Sequence, residues 1–406
     1  MPGATVRQAV ILAGGRGTRR GQLTNETPKP LLACAGRPFI SWIIRELCRF
    51  GVEEVLLLTG YLGDLIEAAL PDIFAGLPRA VAVRCVREAA PAGTGGALRQ
   101  AAGELDSRFL LCNGDSWFDF NIAKLLSDAA MGAPGELGRL VLRRAADAGR
   151  CGVAECESGR VTAFHERPAG QRPGLVNAGV YLFDRRVLDL MAPVCSLERD
   201  VLPRLAAGGS LFATEAEGYF IDIGVPEDLA RARAEMPDRL NRKALLLDRD
   251  AVIGPKNGWS GGPEPFTLMP GALTAIRAAA EAGWHVFVFS NQPGITNTVY
   301  EEAVCNGFSR WMGNHVHAAG GTIDDLRSCL FHPEAANPAD HPDGDARLQQ
   351  TSMLRELLAK WQLDPARCRL VSSQHTCLAA APSGIPGYLL SGGDLAAFIA
   401  PLLTSI

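Results

Sequence analysis

Short apolar runs that suit strands alternate along this chain with segments whose apolar residues recur at helical spacing. Ala9–Ala13 reads as a strand, Phe39–Phe50 as a helix, Val55–Thr59 as a strand and Leu62–Leu70 as a helix, which is the βαβ pattern of a parallel sheet. Further strands are expected at Val81–Val86, Phe109–Cys112, Leu140–Arg143 and Gly179–Phe183, with helices at Gly95–Ala102, Ile122–Ala130 and Glu227–Glu235. An α/β domain with a mostly parallel mixed sheet follows, its ligands at the carboxyl ends of the strands. After the polar stretch around Asp238 a second alternation begins. It has strands at Lys243–Leu247, His285–Ser290 and Arg369–Val371, helices at Gly271–Ala282, Glu301–Met312 and Ser352–Trp361, and a Pro-, Asp- and His-rich loop from Pro333 to Asp345. Two domains are expected, 1–238 and 239–406, each of ordinary size. Neither carries an internal repeat.

Composition removes several function classes. The 406 residues carry a net charge of -4, so there is no basic field for gripping nucleic acid. Nothing approaches the roughly 18 apolar residues of a membrane span, and no signal peptide precedes the first strand, so a cytoplasmic protein is expected. The 11 cysteines are an odd number set in apolar segments such as Leu110-Leu111-Cys112; they read as small buried hydrophobes in a reducing compartment, without a disulfide framework.

The chemistry begins where the first strand ends, in Ala13-Gly14-Gly15-Arg16-Gly17-Thr18-Arg19. Three glycines there let backbone N–H groups approach a polyphosphate. Ten residues on, Thr27-Pro28-Lys29-Pro30 holds one lysine between two prolines, which stiffens the chain around a single cation. Taken alone, each segment would pass for an ordinary turn. Pro91-Ala92-Gly93-Thr94-Gly95-Gly96-Ala97 is a second glycine-rich segment opening a helix, and Phe109–Cys112 ends in Asn113-Gly114-Asp115, a carboxylate at a strand's carboxyl end.

Together these segments resemble the sugar-nucleotidyltransferase family, whose signature is a Gly-Gly-x-Gly-Thr-Arg loop followed by Pro-Lys-Pro. The resemblance runs from Ala9 to about Glu235 and implies a Rossmann-like, GT-A-like domain that condenses a sugar 1-phosphate with a nucleoside triphosphate and releases pyrophosphate. It implies nucleotide contacts from Ala13, Gly14, Gly15, Gly17, Thr18, Gly93, Thr94, Gly95, Asn113 and Gly114, and charge stabilisation by Arg19 and Lys29. It also implies Mg²⁺ held by Asp115 and by Asp222 of Asp222-Ile223-Gly224-Val225-Pro226-Glu227-Asp228. Glu166, Arg167 and Asn177, in Phe164-His165-Glu166-Arg167-Pro168 and Val176-Asn177-Ala178-Gly179, fall where the family contacts the sugar and its phosphate. The sequence departs from the family at Arg20-Gly21-Gln22 and at Arg167, where the family has lysine. An arginine keeps the charge but changes the geometry. Gly36-Arg37-Pro38-Phe39 and Asn113-Gly114-Asp115-Ser116-Trp117-Phe118-Asp119 look most like the heptose 1-phosphate guanylyltransferase branch, implying GTP and D-glycero-α-D-manno-heptose 1-phosphate as substrates, with mannose 1-phosphate as the alternative sugar. A homodimer is left open.

The second domain resembles haloacid-dehalogenase-type hydrolases, closest to heptose bisphosphate phosphatases. Asp248 stands for the nucleophile, Asp250 for the acid/base, and Ser290 with Asn291 for the phosphate-binding segment. Ala251 replaces an expected glycine, Leu348 an expected lysine, and Ser372-Ser373 an expected Gly-Asp metal motif. A zinc loop is reduced to Cys329, with Phe331, Gly344 and Ala346 at ligand positions; His332 and His341 read as exposed loop residues. The expectation is a phosphatase-like domain without catalysis, against the alternative of a bifunctional enzyme.

Overall fold

In the computed structural model the described residues are 6–15, 26–130, 132, 134–149, 151–168, 173–254, 267–291, 299–329, 346–379 and 381–404. The chain divides into two compact units, Met1–Arg239 and Leu240–Ile406.

The first unit contains strands β1 (Gln8–Leu12), β2 (Ala33–Cys34), β3 (Arg37–Pro38), β4 (Glu54–Thr59), β5 (Ala82–Arg87), β6 (Arg108–Asn113), β7 (Ser116–Asp119), β8 (Gly138–Ala145), β9 (Gly152–Glu157), β10 (Arg160–Glu166), β11 (Gly174–Asp184), β12 (Leu211–Glu215) and β13 (Tyr219–Asp222). Nine of them form one sheet in the order β5-β4-β1-β6-β11-β8-β12-β10-β9. Its first half is parallel, β4 pairing with β5 and β1 with both β4 and β6. Of these, β1, β4 and β6 are nearly continuous apolar runs buried on both faces, while the edge strand β5 is largely exposed. The second half is mixed: β12 runs parallel to β8, whereas β11 runs antiparallel to β6 and β8, and β9 and β10 form a hairpin, so antiparallel pairing takes a larger share than a mostly parallel sheet implies. That hairpin turns at Ser158 (φ 50°) and Gly159 (φ 78°), the two successive left-handed residues of a tight turn that can only reverse the chain. On one face Val10, Leu58, Phe109, Leu111, Leu142, Tyr181 and Phe183 are sealed beneath the Gly93–Gln100 and Leu202–Ala207 helices, each large side chain contributing about 2–3 kcal/mol by burial.

The second unit is a five-stranded parallel sheet in the order β16-β15-β14-β17-β18, with β14 (Ala244–Asp248), β15 (His285–Asn291), β16 (Asp325–Cys329), β17 (Cys368–Ser372) and β18 (Gly387–Leu389). Alternation along β14 divides its core. Leu245 and Leu247 face the Ala272–Glu281 and Leu395–Thr404 helices, while Ala244 and Leu246 face Leu354, Leu357 and Trp361. The predicted elements recur with shifted ends: Leu62–Leu70 is two short helices, Gly63–Ala68 and Leu70–Phe74, and the Glu301–Met312 helix runs Val299–Ala318.

Candidate functional site

Strand β6 carries the first aspartate into place. Just beyond it the Gly114 N–H donates to the Leu12 carbonyl at 3.0 Å, and a Cβ on Gly114 would lie 2.5 Å from that oxygen, so only glycine lets the chain pass so close to β1. Strand β7 then pairs antiparallel with β13, with Ser116 opposite Asp222, and the Ile223 N–H donates to the Asp115 carbonyl at 2.8 Å. This two-stranded ribbon sets Asp115 and Asp222, distant in sequence, on one cavity of about 570 Å³ that also receives Lys29, Asn113, Glu166, Arg167 and Asn177. Lys29 opens a 3-10 turn behind Pro28, and its ammonium donates to Asp115 Oδ2 at 3.1 Å. Burial first, and then the charge of Asp115, push the Asp222 carboxyl up to about 6, against the opposing Gly224 N–H and Lys29; that N–H donates to Asp222 Oδ1 at 2.6 Å. Two crowded carboxylates sharing one ammonium form an all-oxygen donor set suited to a hard divalent cation.

A β-bulge shapes the opposite wall. The register of β11 against β8 shifts between Asn177 and Tyr181, which re-aims the intervening residues. Within it Gly179 has φ 72°, and a Cβ there would lie 2.5 Å from Asn113 Nδ2. Asn177 Oδ1 accepts from the Gly179 N–H at 3.0 Å and its Nδ2 donates to the Tyr181 hydroxyl at 2.6 Å, so the side chain is fixed with donor and acceptor capacity to spare. Glu166 ends β10, and Arg167 follows at φ 51° with its N–H on the Cys151 carbonyl at 3.2 Å. Glu198, which sequence reasoning missed, lines the same cavity with a carboxyl pushed up chiefly by burial.

A second cavity, about 430 Å³, lies at the ends of β1 and β4, lined by Gly14, Gly15, Tyr61, Glu88, Gly93 and Thr94 among others. Ala13 donates its N–H to the Leu58 carbonyl at 2.9 Å. Gly14 is required by close packing: a Cβ would meet Glu88 Oε1 at 2.9 Å and the Gly60 nitrogen at 3.0 Å. Glu88 Oε2 accepts from the Ala92 N–H at 3.2 Å, and burial raises the pKa of this carboxyl. Thr94 Oγ1 accepts from the Leu197 N–H at 2.8 Å. Gly95 packs against Cys195, where a Cβ would lie 2.7 Å from Sγ, so it serves the helix contact and is not among the residues on the cavity wall. Gly17, Thr18 and Arg19 lie outside the described residues.

A model of the nucleotidyl transferase family matches residues 8–239. The chain belongs to that family. It is 34% identical to the mannose-1-phosphate guanylyltransferase of Mycobacterium tuberculosis, over 68% of this chain and 81% of that one. It is 30% identical to the D-glycero-alpha-D-manno-heptose 1-phosphate guanylyltransferase of Campylobacter jejuni, over 54% of this chain and 96% of that protein. Among solved structures, HddC from Yersinia pseudotuberculosis complexed with GMP-PN superposes with a TM-score of 0.50 at 28% identity, covering 57% of this chain and all of the other.

The transferase's second unit gathers its own polar cluster at the carboxyl end of β14. Asp248, Arg249, Asp250, Ser290 and Ser372 are all buried. Ser372 Oγ donates to Asp248 Oδ2 at 2.6 Å, and the Asp250 N–H to Asp248 Oδ1 at 3.2 Å. Asp250 is held by the Arg249 guanidinium at 2.9 Å and by Ser290 Oγ at 3.2 Å. Burial raises the pKa of Asp248, the Ser372 and Asp250 hydrogen bonds oppose this, and the charge of Asp250 adds to it. Sequence reasoning found no cation here; the structure supplies Arg249, already committed to Asp250. The Asn291 and Leu348 side chains, and Phe331, His332, His341 and Gly344, lie outside the described residues. Among those described, no group of three or more His, Cys, Asp and Glu side chains is placed to hold a metal ion.

Proposed function

We propose that the transferase joins GTP to a sugar 1-phosphate, D-glycero-α-D-manno-heptose 1-phosphate ahead of mannose 1-phosphate, to give a GDP-sugar and pyrophosphate. The observation that carries this reading is the convergence of the Lys29–Asp115 pair and Asp222 with Glu166, Arg167 and Asn177 on one cavity. The guanine preference is supported by Glu88. One of its oxygens lies free of the Ala92 bond beside Gly14, and a carboxylate there accepts from both N1–H and the 2-amino group of guanine. Adenine offers a bare N1 lone pair on the same edge. The heptose preference rests on the Campylobacter relative, matched over 96% of its length.

A sugar 1-phosphate is already an anionic nucleophile, so no activated serine or cysteine is needed. Its phosphate oxygen forms the new bond to the α-phosphorus in line with the departing pyrophosphate, which takes the electron pair of the broken P–O bond. Lys29 offsets the charge growing on the α-phosphoryl oxygens, and Arg19 joins it by resemblance. Glu166 and the immobilised Asn177 hold sugar hydroxyls and so align the attack. Asp115 and Asp222 would hold Mg²⁺, which when bound supplies charge neutralisation to the triphosphate.

The second unit fits a haloacid-dehalogenase-like domain without catalysis, retained beside the transferase. Its supporting observation is that Asp248 and Asp250 are satisfied by Ser372, Arg249 and Ser290 in a closed network. The absence, among described residues, of a helix long and apolar enough to cross a membrane and the buried free thiols are consistent with a cytoplasmic enzyme. Pyrophosphate release from ATP, CTP, GTP, UTP and dTTP against glucose, mannose and heptose 1-phosphates tests the assignment. GTP with the heptose should give the highest kcat/KM; a preference for UTP or dTTP with glucose 1-phosphate, or no release from any pair, overturns it.

A further inference from the structure

Arg143 and Arg144 are neighbours on β8 and point to opposite faces of the sheet. Arg144 pairs with Glu215 in solvent at 2.9 Å. Arg143 is packed over the ring of Phe220, its Cζ 4.1 Å from the ring centroid. Its Nε is buried without a hydrogen-bond partner, and among the described residues the guanidinium forms no ion pair. This half-buried guanidinium, stacked on a ring and in no such pair, keeps hydrogen-bonding capacity to spare. Arg143 lines the cavity that holds Lys29, Asp115 and Asp222.

The other cations of this wall are differently engaged. Lys29 is bound to Asp115 at 3.1 Å and Arg231 to Asp228 at 3.2 Å, while Arg167 is exposed. Burial lowers the pKa of Arg143, the Arg231 charge adds to this, and Cys151 and Asp222 act against it; a guanidinium stays charged in proteins. The cavity is rich in carboxylates, Asp147, Glu166, Glu198 and Asp228 beside the two site aspartates. A dianionic phosphate entering it therefore needs a cation that is both oriented and unclaimed. Stacking on Phe220 orients this one, two residues before Asp222 on β13.

We propose that Arg143 grips the phosphate of the sugar 1-phosphate and makes the site select phosphorylated over free sugars. The inference rests on the sugar 1-phosphate reading above and adds a substrate-contacting residue that the family motifs do not mark. Arg143→Ala and Arg143→Lys should each raise KM for the sugar 1-phosphate about 10- to 100-fold, the scale of one or two lost charge-assisted hydrogen bonds, with KM for GTP changed less than about twofold. Added guanidinium chloride at millimolar concentration should restore part of the Arg143→Ala loss, which a purely structural role would not allow. Calorimetric titration of D-glycero-α-D-manno-heptose 1-phosphate, and separately of mannose 1-phosphate, into protein loaded with guanosine 5′-[α,β-methylene]triphosphate reads the contact without turnover. Affinity should fall in both variants, while unphosphorylated mannose binds wild type and variants equally weakly. An unchanged sugar 1-phosphate KM and affinity, or an equal rise in KM for GTP, overturns the role of Arg143. If wild type releases no pyrophosphate from any pair, the functional reading fails on its own and the titration still decides for or against the phosphate contact; absence of binding of both sugar 1-phosphates to wild type decides against it.

Discussion

Replacing Lys29 by alanine removes the ammonium that stands 3.1 Å from Asp115. With side-chain exposures of 17% for Lys29 and 30% for Asp115, the pair sits in an intermediate medium. At an effective dielectric constant of about 20 their attraction is about 5 kcal/mol before desolvation and screening are subtracted. The catalytic share is smaller, because the same ammonium is already engaged in the resting site. Losing one preorganised charge-stabilising donor in other active sites slows turnover about 10²- to 10³-fold, or about 2.7–4 kcal/mol. We expect Lys29→Ala to lose at least a hundredfold in kcat and Asp115→Asn a comparable amount. The short turn between Pro28 and Pro30 is kept by the backbone, so the thermal midpoint of Lys29→Ala should stay close to wild type. The assay is pyrophosphate release at saturating GTP, sugar 1-phosphate and Mg²⁺, with circular dichroism to verify the fold. Turnover of Lys29→Ala within threefold of wild type would refute the assignment of Lys29 to the reacting phosphates.

Three other perturbations bear on separate parts of the account. Glu88→Ala should raise KM for GTP at least tenfold while leaving that for ATP within about threefold, so that the ratio of kcat/KM values narrows; an unchanged ratio removes Glu88 from base recognition. Asp119 is pushed up to about 7, first by burial and then by the charge of Glu46, against Arg49 and Arg239. A carboxyl raised in the fold from 3.8 contributes stability that is complete below about pH 4 and is lost as pH rises through 7. Asp119→Asn should therefore melt higher than wild type at pH 8, with the gap closing toward pH 5, and a pH-independent gap would count against this linkage. Asp248→Asn should leave guanylyl transfer within twofold and remove no phosphatase activity, since wild type should release no phosphate from heptose 1,7-bisphosphate; a phosphate burst in wild type that vanishes in the variant would show the second unit to be a working hydrolase.

The parallel half of the first sheet was legible because β1, β4 and β6 are almost uninterrupted Val, Leu and Ile runs between helical patterns, a signal that depends only on local sequence. Strands β9 and β10 were not, because charged residues break their alternation: Glu155, Glu157, Arg160 and His165 face outward on a hairpin with one covered face. Lys29, Asp115, Glu166 and Asn177 could be named from motifs, but the Lys29–Asp115 pair and the β7–β13 ribbon that brings Asp222 to Asp115 depend on tertiary pairing, which no local pattern carries. Glu88 had a faint signal, a carboxylate directly after β5 and before the second glycine segment. Arg143 had less, since two consecutive arginines on a strand look alike until the sheet assigns their faces. In the second unit substituted positions suggested inactivity, whereas the closed network of Arg249, Ser290 and Ser372 around the two aspartates required the fold.

The central claim is nucleotidyl transfer to a sugar phosphate, and following the phosphorus atoms of GTP tests it most directly. With [α-³²P]GTP and D-glycero-α-D-manno-heptose 1-phosphate, the label should appear in a GDP-sugar in an amount equal to the pyrophosphate formed, whereas [γ-³²P]GTP should label only the pyrophosphate. Transfer of the γ-label to the sugar, its release as inorganic phosphate, or retention of the α-label in free GDP would contradict the account.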